Sequence, residues 1–292
     1  MIAIIGGTGL GEAFAQERGG QIIEVDTPFG PPSAPPVRYN WGGGEVLFLN
    51  RHGAGHRLSP SMAPYRANIY ALKALGVKTI IASGAVGSLR QEVKPGHLVI
   101  CDQAIDKTFR RAGTFYDNQL AVHVEFAEPF CPVLRRRILD QAGPVAATVH
   151  QSGTYVCMEG PQFSTRAESN LHRQWGGDVI GMTALPEAKL AREAEMSYAL
   201  VALATDYDCW QPHQETDRQA LLAEIISNLK RATENAVALI QATVKSLTES
   251  PIEDCDAFHA LELAIWTDKS TVPAQEIERL HPLIGRHFDN QP

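Results

Sequence analysis

Two observations predict an α/β fold. Strand-like apolar runs alternate with helix-like amphipathic runs along most of the chain. Several residues able to carry chemistry (Thr8, Arg51, Gly84, Thr183 and Asp206) fall directly after predicted strands, where α/β folds place their ligands.

The elements follow in order. Ile2 to Ile5 is a short apolar run closed by Gly6 and Gly7, and reads as a buried strand. Arg38–Trp41 and Glu45–Asn50 flank a glycine turn and predict a hairpin. "APYRANIYALKALG" has helical apolar spacing and stops at Gly76. "VKTIIASGAVGS" predicts a strand that runs into a small-residue loop, and "HLVICDQAID" one further strand. "PFCPVLRRRILDQAG" is amphipathic at helical period, "ATVHQSGTYVCMEGP" holds one or two strands, and "STRAESNLHRQWGG" is helical. "DVIGMT" is a short strand, "LPEAKLAREAE" a helix with Pro186 in its first turn, and "SYALVALATDYD" the last core strand. Asp217 to about Leu247 reads as one long helix, followed by a tail with short helices expected at Ala257–Ile265 and Ala274–Leu280.

Composition narrows the classes. The 292 residues are 44% hydrophobic and 20% charged, a balance usual for soluble globular proteins. That length allows one or two domains. A formal charge of −7 without a basic stripe argues against nucleic acid as a partner. Five widely spaced cysteines without C-x-x-C suit reduced, mostly buried thiols. Scattered histidines without a Cys/His cluster predict no metal site. "MIAIIGG" is too short for a signal peptide and no apolar run reaches membrane-span length, so the expectation is a cytoplasmic protein with no membrane partner.

Each chemical motif admits two readings. "IIGGTGLG" offers backbone amides and the Thr8 hydroxyl to an anion, or is a tight turn ending a strand. In "NRHGAGH", Arg51 and His52 form either an oxyanion-binding pair or a surface pair. The amides of Gly84 and Ala85 can approach an oxyanion, or the small residues serve close backbone packing. Met182 and Thr183 precede a helix amino end, where anions are favoured, although a core filler and a helix cap explain them as well. "ATDYD" ends an apolar strand in Asp206 and Asp208. Spaced i and i+2 on an extended chain they share a face, and two close carboxylates disfavour double ionisation, so one can hold a proton. A strand-end turn capping the next helix is the other reading.

Taken together, "IIGGTGLG", "NRHGAGH", "YRANIYALKALG", "GAVGSLR", "AEPFCP", "EGPQFSTRAES", "GMTALPEAKLARE" and "ATDYDCW" resemble the 5′-methylthioadenosine phosphorylases, in their order and spacing. These form a branch of the trimeric purine nucleoside phosphorylase superfamily. The resemblance covers residues 1–247 as one phosphorylase domain. It leaves 248–292 as a C-terminal helical extension, packed on that domain or on a neighbouring subunit. It implies a mixed, partly barrel-like central sheet flanked by helices, and a homotrimer or a dimer of trimers. It also implies phosphorolysis of a purine nucleoside, with inorganic phosphate as co-substrate and no metal or organic cofactor.

By the same resemblance, Thr8, Arg51, His52, Gly84, Ala85 and Thr183 cradle phosphate. Phe163 stacks on the purine, Met182 lies against the ribose, Asp206 meets N7 as the catalytic acid, and Asp208 meets the 6-amino group. His123 reaches the 5′ pocket of a neighbouring subunit. Ser164 stands where the inosine- and guanosine-cleaving relatives carry Glu, and Asp206 where they carry Asn. Asp206, Asp208 and Ser164 therefore imply an aminopurine. An unpaired buried donor costs about 1–3 kcal/mol, which disfavours a 6-oxopurine.

The sequence also departs from the family. Gly84 replaces a hydroxyl residue, Pro64 and Gly181 each replace an Asn, and Gln162 replaces an Arg. Alternatives at this point are a phosphorylase of the same fold preferring methylthioinosine or ordinary purine nucleosides, and a nucleoside-binding protein that has lost turnover, which Gly84 suggests. A dinucleotide-dependent oxidoreductase is suggested only by "GGTGLG", whose glycines do not fit G-x-G-x-x-G.

Overall fold

The computed structural model describes residues 1–7, 9–15, 19–211 and 218–288. Its elements are β1 (Ile2–Gly6), α1 (Leu10–Ala15), β2 (Gln21–Ile22), β3 (Val37–Trp41), β4 (Gly44–Asn50), α2 (Tyr65–Ala74), β5 (Thr79–Ser88), β6 (Leu98–Ile100) and β7 (Gln103–Asp106). They continue with α3 (Pro132–Leu139), β8 (Val149–His150), β9 (Thr154–Cys157), α4 (Arg166–Gln174), β10 (Val179–Gly181), α5 (Ala184–Glu193), β11 (Ser197–Asp206), α6 (Arg218–Glu249), α7 (Ala274–Arg279) and α8 (His281–Ile284). The alternation expected from the sequence is present.

Among the described residues the strands form one mixed sheet that branches at β5. The first half of β5 pairs in parallel with β1, which pairs in parallel with β4. Along its other edge β5 pairs in parallel with β11. Its last residues, Gly87 and Ser88, pair antiparallel with β10. β11 also pairs antiparallel with β6. The stretch expected as one strand over 97–106 is two, because β6 joins β11 and β8 while β7 joins β9.

Both faces of the central strands β1, β11 and the first half of β5 are covered, so these strands are apolar on both sides. Ala3, Ile5, Ile80 and Leu200 belong to a core shared with Ile69, Leu72, Leu190 and Ala191 of α2 and α5. Their neighbours Ile4, Ile81 and Val201 face the opposite core, with Leu134 of α3 and Leu239, Ile240 and Val244 of α6. Successive residues of a strand point to opposite sides, which is why adjacent isoleucines serve different layers. Gly76, at φ +80°, turns the chain out of α2 in the left-handed conformation that favours glycine.

The long helix matches its expectation, and α7 falls where a tail helix was expected. The helix expected over 257–265 is instead a short 3-10 turn, Asp256–His259, followed by an extended bridge between Ile265 and Val122. Leu261, Leu280, Leu283, Ile284 and Phe288 enter the same core as α2. Buried Glu195 accepts from the Leu261 amide and from Arg286. Cys255 is buried in the same core as Cys131, at the amino end of α3. All five cysteines are free thiols, four of them buried. Among the described residues, no helix is long and apolar enough to cross a membrane.

Candidate active site

Strand register brings the first group of expected residues together. Ile5 lies opposite both Leu49 and Ala82, so Gly7, Arg51 and Gly84 emerge at one level. Thr8, the next expected residue, lies outside the described residues. Gly84 was expected in a loop after a strand; it lies inside β5, because pairing with β11 continues past it to Gly87. At that point the cover over the sheet opens. Ala85 is exposed and Gly84 half-buried within an otherwise largely buried strand.

Arg51 is fully buried, which excludes the surface-pair reading. Its Nε and Nη2 donate to Glu187 at 2.7 and 2.8 Å, and Nη1 donates to the Ser83 carbonyl at 3.0 Å. Tyr198 donates its hydroxyl to the same Glu187 carboxylate at 2.8 Å. A Cβ on Gly7 would stand 3.1 Å from Arg51 Nη1 and 3.8 Å from His52 Nε2, so the turn after β1 sits directly over both side chains. His52 Nδ1 lies 2.8 Å from the Leu58 carbonyl. A carbonyl only accepts, so Nδ1 carries the hydrogen, and Nε2 of the neutral ring is an acceptor. Burial, helped by the Arg51 charge, lowers the His52 pKa to about 4.

Thr183 occupies the N-cap position of α5 but makes no side-chain cap bond. Its amide donates to the Tyr155 hydroxyl at 3.1 Å. Its Oγ1 lies 3.4 Å from where a Cβ on Gly84 would stand. Leu185 is extended (φ −120°, ψ 135°) and interrupts the first turn of α5. Gly181 leaves the space that the Tyr155 hydroxyl fills; any Cβ there would collide with that ring.

The second group gathers at the end of β11. Asp206 is the last residue of that strand, and a register shift precedes it. The shared-face reading of the acid pair fails. Asp208 has φ +49° and lies in a turn, so the chain is no longer extended there. The turn instead folds the Asp208 amide back onto Asp206 Oδ1 at 2.7 Å, while Thr205 Oγ1 lies 2.7 Å from Oδ2. The two acids still converge, since a Cβ on Gly87 would be 3.2 Å from both Asp206 Oδ1 and Asp208 Cβ. Cys209 donates to the Ser164 carbonyl at 3.2 Å, tying this turn to the segment that carries Phe163. Phe163 is 83% exposed. Met182 packs its thioether on Gly160, where φ is +66° and a side chain would collide with the sulfur.

His123 does not join this cluster within the chain. It is exposed, its amide donates to the Ala264 carbonyl, and its ring lies 4.5 Å from that of Trp266. The sequence reading missed Glu187, Tyr155, Thr205 and Arg111. Nothing local singles out Glu187, in the first turn of α5, or Arg111, within "RR". No group of three or more His, Cys, Asp or Glu side chains among the described residues is placed to hold a metal ion.

The chain is similar to known proteins over nearly its whole length. The profile of the phosphorylase superfamily matches residues 1–245. The S-methyl-5′-thioadenosine phosphorylase of Geobacter sulfurreducens is 48% identical over 289 residues, 98% of this chain and 99% of the other. That of Thermosynechococcus vestitus is 47% identical over 98% of this chain and 99% of its own. Among solved structures, a methylthioadenosine phosphorylase from an Antarctic soil metagenomic library superposes with a TM-score of 0.87 at 43% identity, covering 97% of this chain and 98% of that one. An adenosine/methylthioadenosine phosphorylase mutant from Schistosoma mansoni, in complex with methylthioadenosine, gives 0.77 at 34% identity, with coverage of 87% and 92%.

Proposed function

The chain belongs to the phosphorylase superfamily, and on that premise we propose that it cleaves 5′-methylthioadenosine with inorganic phosphate, giving adenine and 5-methylthioribose 1-phosphate. One observation carries the reading. Gly84 borders Thr183, and Gly87 borders Asp206 and Asp208, so the two expected groups lie three residues apart on β5. That is about 10 Å of extended chain, a span suited to an anion, a sugar and a purine edge in line. The names of the relatives, S-methyl-5′-thioadenosine phosphorylases over nearly full length, agree with it.

The chemistry follows from the placement. As the C1′–N9 bond breaks, its electron pair moves to the purine and positive charge develops on the sugar. Asp206 passes a proton to N7 and neutralises the leaving base. A phosphate oxygen then forms the new bond to C1′. Arg51, His52, Thr183, Thr8 and the backbone at Gly84 and Ala85 hold that phosphate in place before reaction, so little reorganisation is needed. Asp208 accepts from the 6-amino group, Phe163 covers the purine face, Met182 lies against the ribose, and Ser164 leaves the base edge open to an aminopurine. The reaction takes no metal or organic cofactor, because phosphate and Asp206 supply both charges. The enzyme acts as a cytoplasmic homotrimer, in which the exposed His123 reaches the 5′ group bound to a neighbour.

The test is base release from methylthioadenosine, adenosine, methylthioinosine and inosine, with and without phosphate. Fastest release from methylthioadenosine, absent without phosphate, is expected. Fastest release from inosine would overturn the assignment of the acids, and phosphate-independent release the assignment of the anion site.

A further inference from the structure

Arg111 lies in the segment after β7 and its side chain is only 1% exposed. Its Nη1 donates to the carbonyls of Met182 and Leu185 at 2.6 and 2.7 Å, and its Nη2 to the carbonyl of Glu159 at 2.6 Å. Weaker contacts at 3.4 Å reach Ser61 Oγ and the Tyr65 hydroxyl. One planar cation thus joins three backbone carbonyls from two separate segments. Met182 and Leu185 bracket Thr183. Glu159 opens the turn that leads through Gly160 to Phe163 and Ser164. The Glu159 carboxylate is itself held by the amides of Phe109 and Arg110 and by the Ser61 hydroxyl.

We propose that Arg111 is a positioning residue that fixes the width of the nucleoside slot, by clamping the Glu159–Ser164 arm to the Met182–Leu185 arm. The inference rests on the function proposed above only in naming what the slot holds. The physical case is the match between fork and carbonyls. Charge-assisted bonds are about twice as strong as neutral ones, and lysine, a point donor, cannot span the same three acceptors. Thr183, expected to touch phosphate, lies on one of the two arms, whereas the nucleoside meets both, so loss of Arg111 should act more on the nucleoside than on phosphate. The packing of Met182 sulfur on Gly160 brings the two arms into contact; Arg111 sets their separation.

The test uses Arg111→Lys and Arg111→Met in the full chain. Hydrogen–deuterium exchange is followed at 158–164 and 181–186, with β5 as internal reference. Initial rates are measured against methylthioadenosine and phosphate in turn. The expected result is faster exchange in both arms with β5 unchanged. Nucleoside KM should rise about tenfold or more, the equivalent of losing one such bond, while phosphate KM, which depends on one of the arms through Thr183, rises clearly less. Arg111→Lys should be the milder, and it is the variant to be read if Arg111→Met does not fold. Unchanged exchange in the arms, exchange raised throughout the molecule, or equal effects on both KM values would each overturn the proposal. Failure of the wild type to cleave methylthioadenosine would refute the function instead, and exchange would still decide the role of Arg111.

Discussion

Arg51 and Glu187 form a buried bidentate ion pair, at 2.7 and 2.8 Å, with side chains 1% and 0% exposed. Burial opposes the arginine charge, but Glu187 outweighs it and holds the guanidinium above its ordinary pKa. Such a pair adds little net stability over an apolar one, yet breaking it leaves an uncompensated charge. Its effect here is to orient the remaining edge of the fork toward the turn after β1. Glu187→Gln should therefore lower stability by about 3 kcal/mol and raise phosphate KM about tenfold. The nucleoside KM should move less. Denaturant unfolding and initial rates check both; an unchanged phosphate KM would make the pair purely structural.

Asp206→Asn keeps the size of the side chain and removes the acid. Loss of a general acid typically lowers the rate about 10²–10⁴-fold, and kcat for methylthioadenosine should fall within that range while phosphate KM holds. Thr205 makes a second probe. Its hydroxyl lies 2.7 Å from Asp206 Oδ2 and 3.2 Å from the Val86 carbonyl. It can donate to a carboxylate, or turn its hydrogen to Val86 and accept from the protonated acid. Thr205→Val should lower kcat in the same direction, but less. Full activity in Asp206→Asn would remove Asp206 from the mechanism.

The order of elements was legible because apolar period and glycine punctuation are local signals. The two arms of the site were legible through motif resemblance, which named Asp206, Thr183 and Arg51. What escaped were relations that only tertiary structure creates. Nothing local marks Glu187 as the partner of a residue 136 positions away. Nothing in "FRRAG" says which arginine is buried. Asp208 was read as extended because the apolar run gives no sign that its backbone turns to φ +49°. Gly84 looked like a loop residue because a small-residue run signals turns; in β5 those residues keep the strand low where the cover opens.

His52 gives a prediction about anion choice. Its Nδ1 hydrogen is committed to the Leu58 carbonyl, and burial with the neighbouring Arg51 charge holds its pKa near about 4. At neutral pH Nε2 can therefore only accept, so a bound anion must bring a hydrogen of its own. Phosphate and arsenate do, and sulfate does not. Arsenate should replace phosphate as co-substrate, and sulfate should inhibit with a Ki about tenfold or more above the phosphate KM, the equivalent of one lost hydrogen bond. Sulfate inhibition as tight as phosphate use would show that His52 is protonated in the complex.

Gly84 is the departure most open to repair. Its φ lies outside the range reserved for glycine, and among the described residues a Cβ there would meet only Thr183 Oγ1, at an ordinary 3.4 Å. Gly84→Ser should fold without strain and present a hydroxyl beside Thr183. A neutral hydrogen bond contributes about 0.5–1.5 kcal/mol, so phosphate KM should fall about two- to tenfold with nucleoside KM unchanged. A higher phosphate KM would mean that the open strand surface, and not a missing donor, is what the anion needs.

Glu193 sets a pH dependence that can be isolated. It is 6% exposed, and burial raises its carboxyl from 4.5 to about 7, against the opposing hydrogen bond from the Phe115 amide. Below about pH 4.5 the acid is protonated in both the folded and unfolded chain, and it imposes no penalty. Between about 4.5 and 7 the unfolded chain releases the proton while the folded chain keeps it, so stability falls as pH rises, by about 3 kcal/mol over the window. Above about 7 the loss is constant. His52, with its lowered pKa, slopes the other way over part of the same range, so the wild-type curve alone does not separate them. Glu193→Gln keeps an acceptor for Phe115 and cannot ionise. The variant should match the wild type near pH 4.5 and exceed it at pH 8, with the difference growing through the window as other groups cancel. Parallel denaturation curves for the two proteins across that range would mean that Glu193 ionises as readily folded as unfolded.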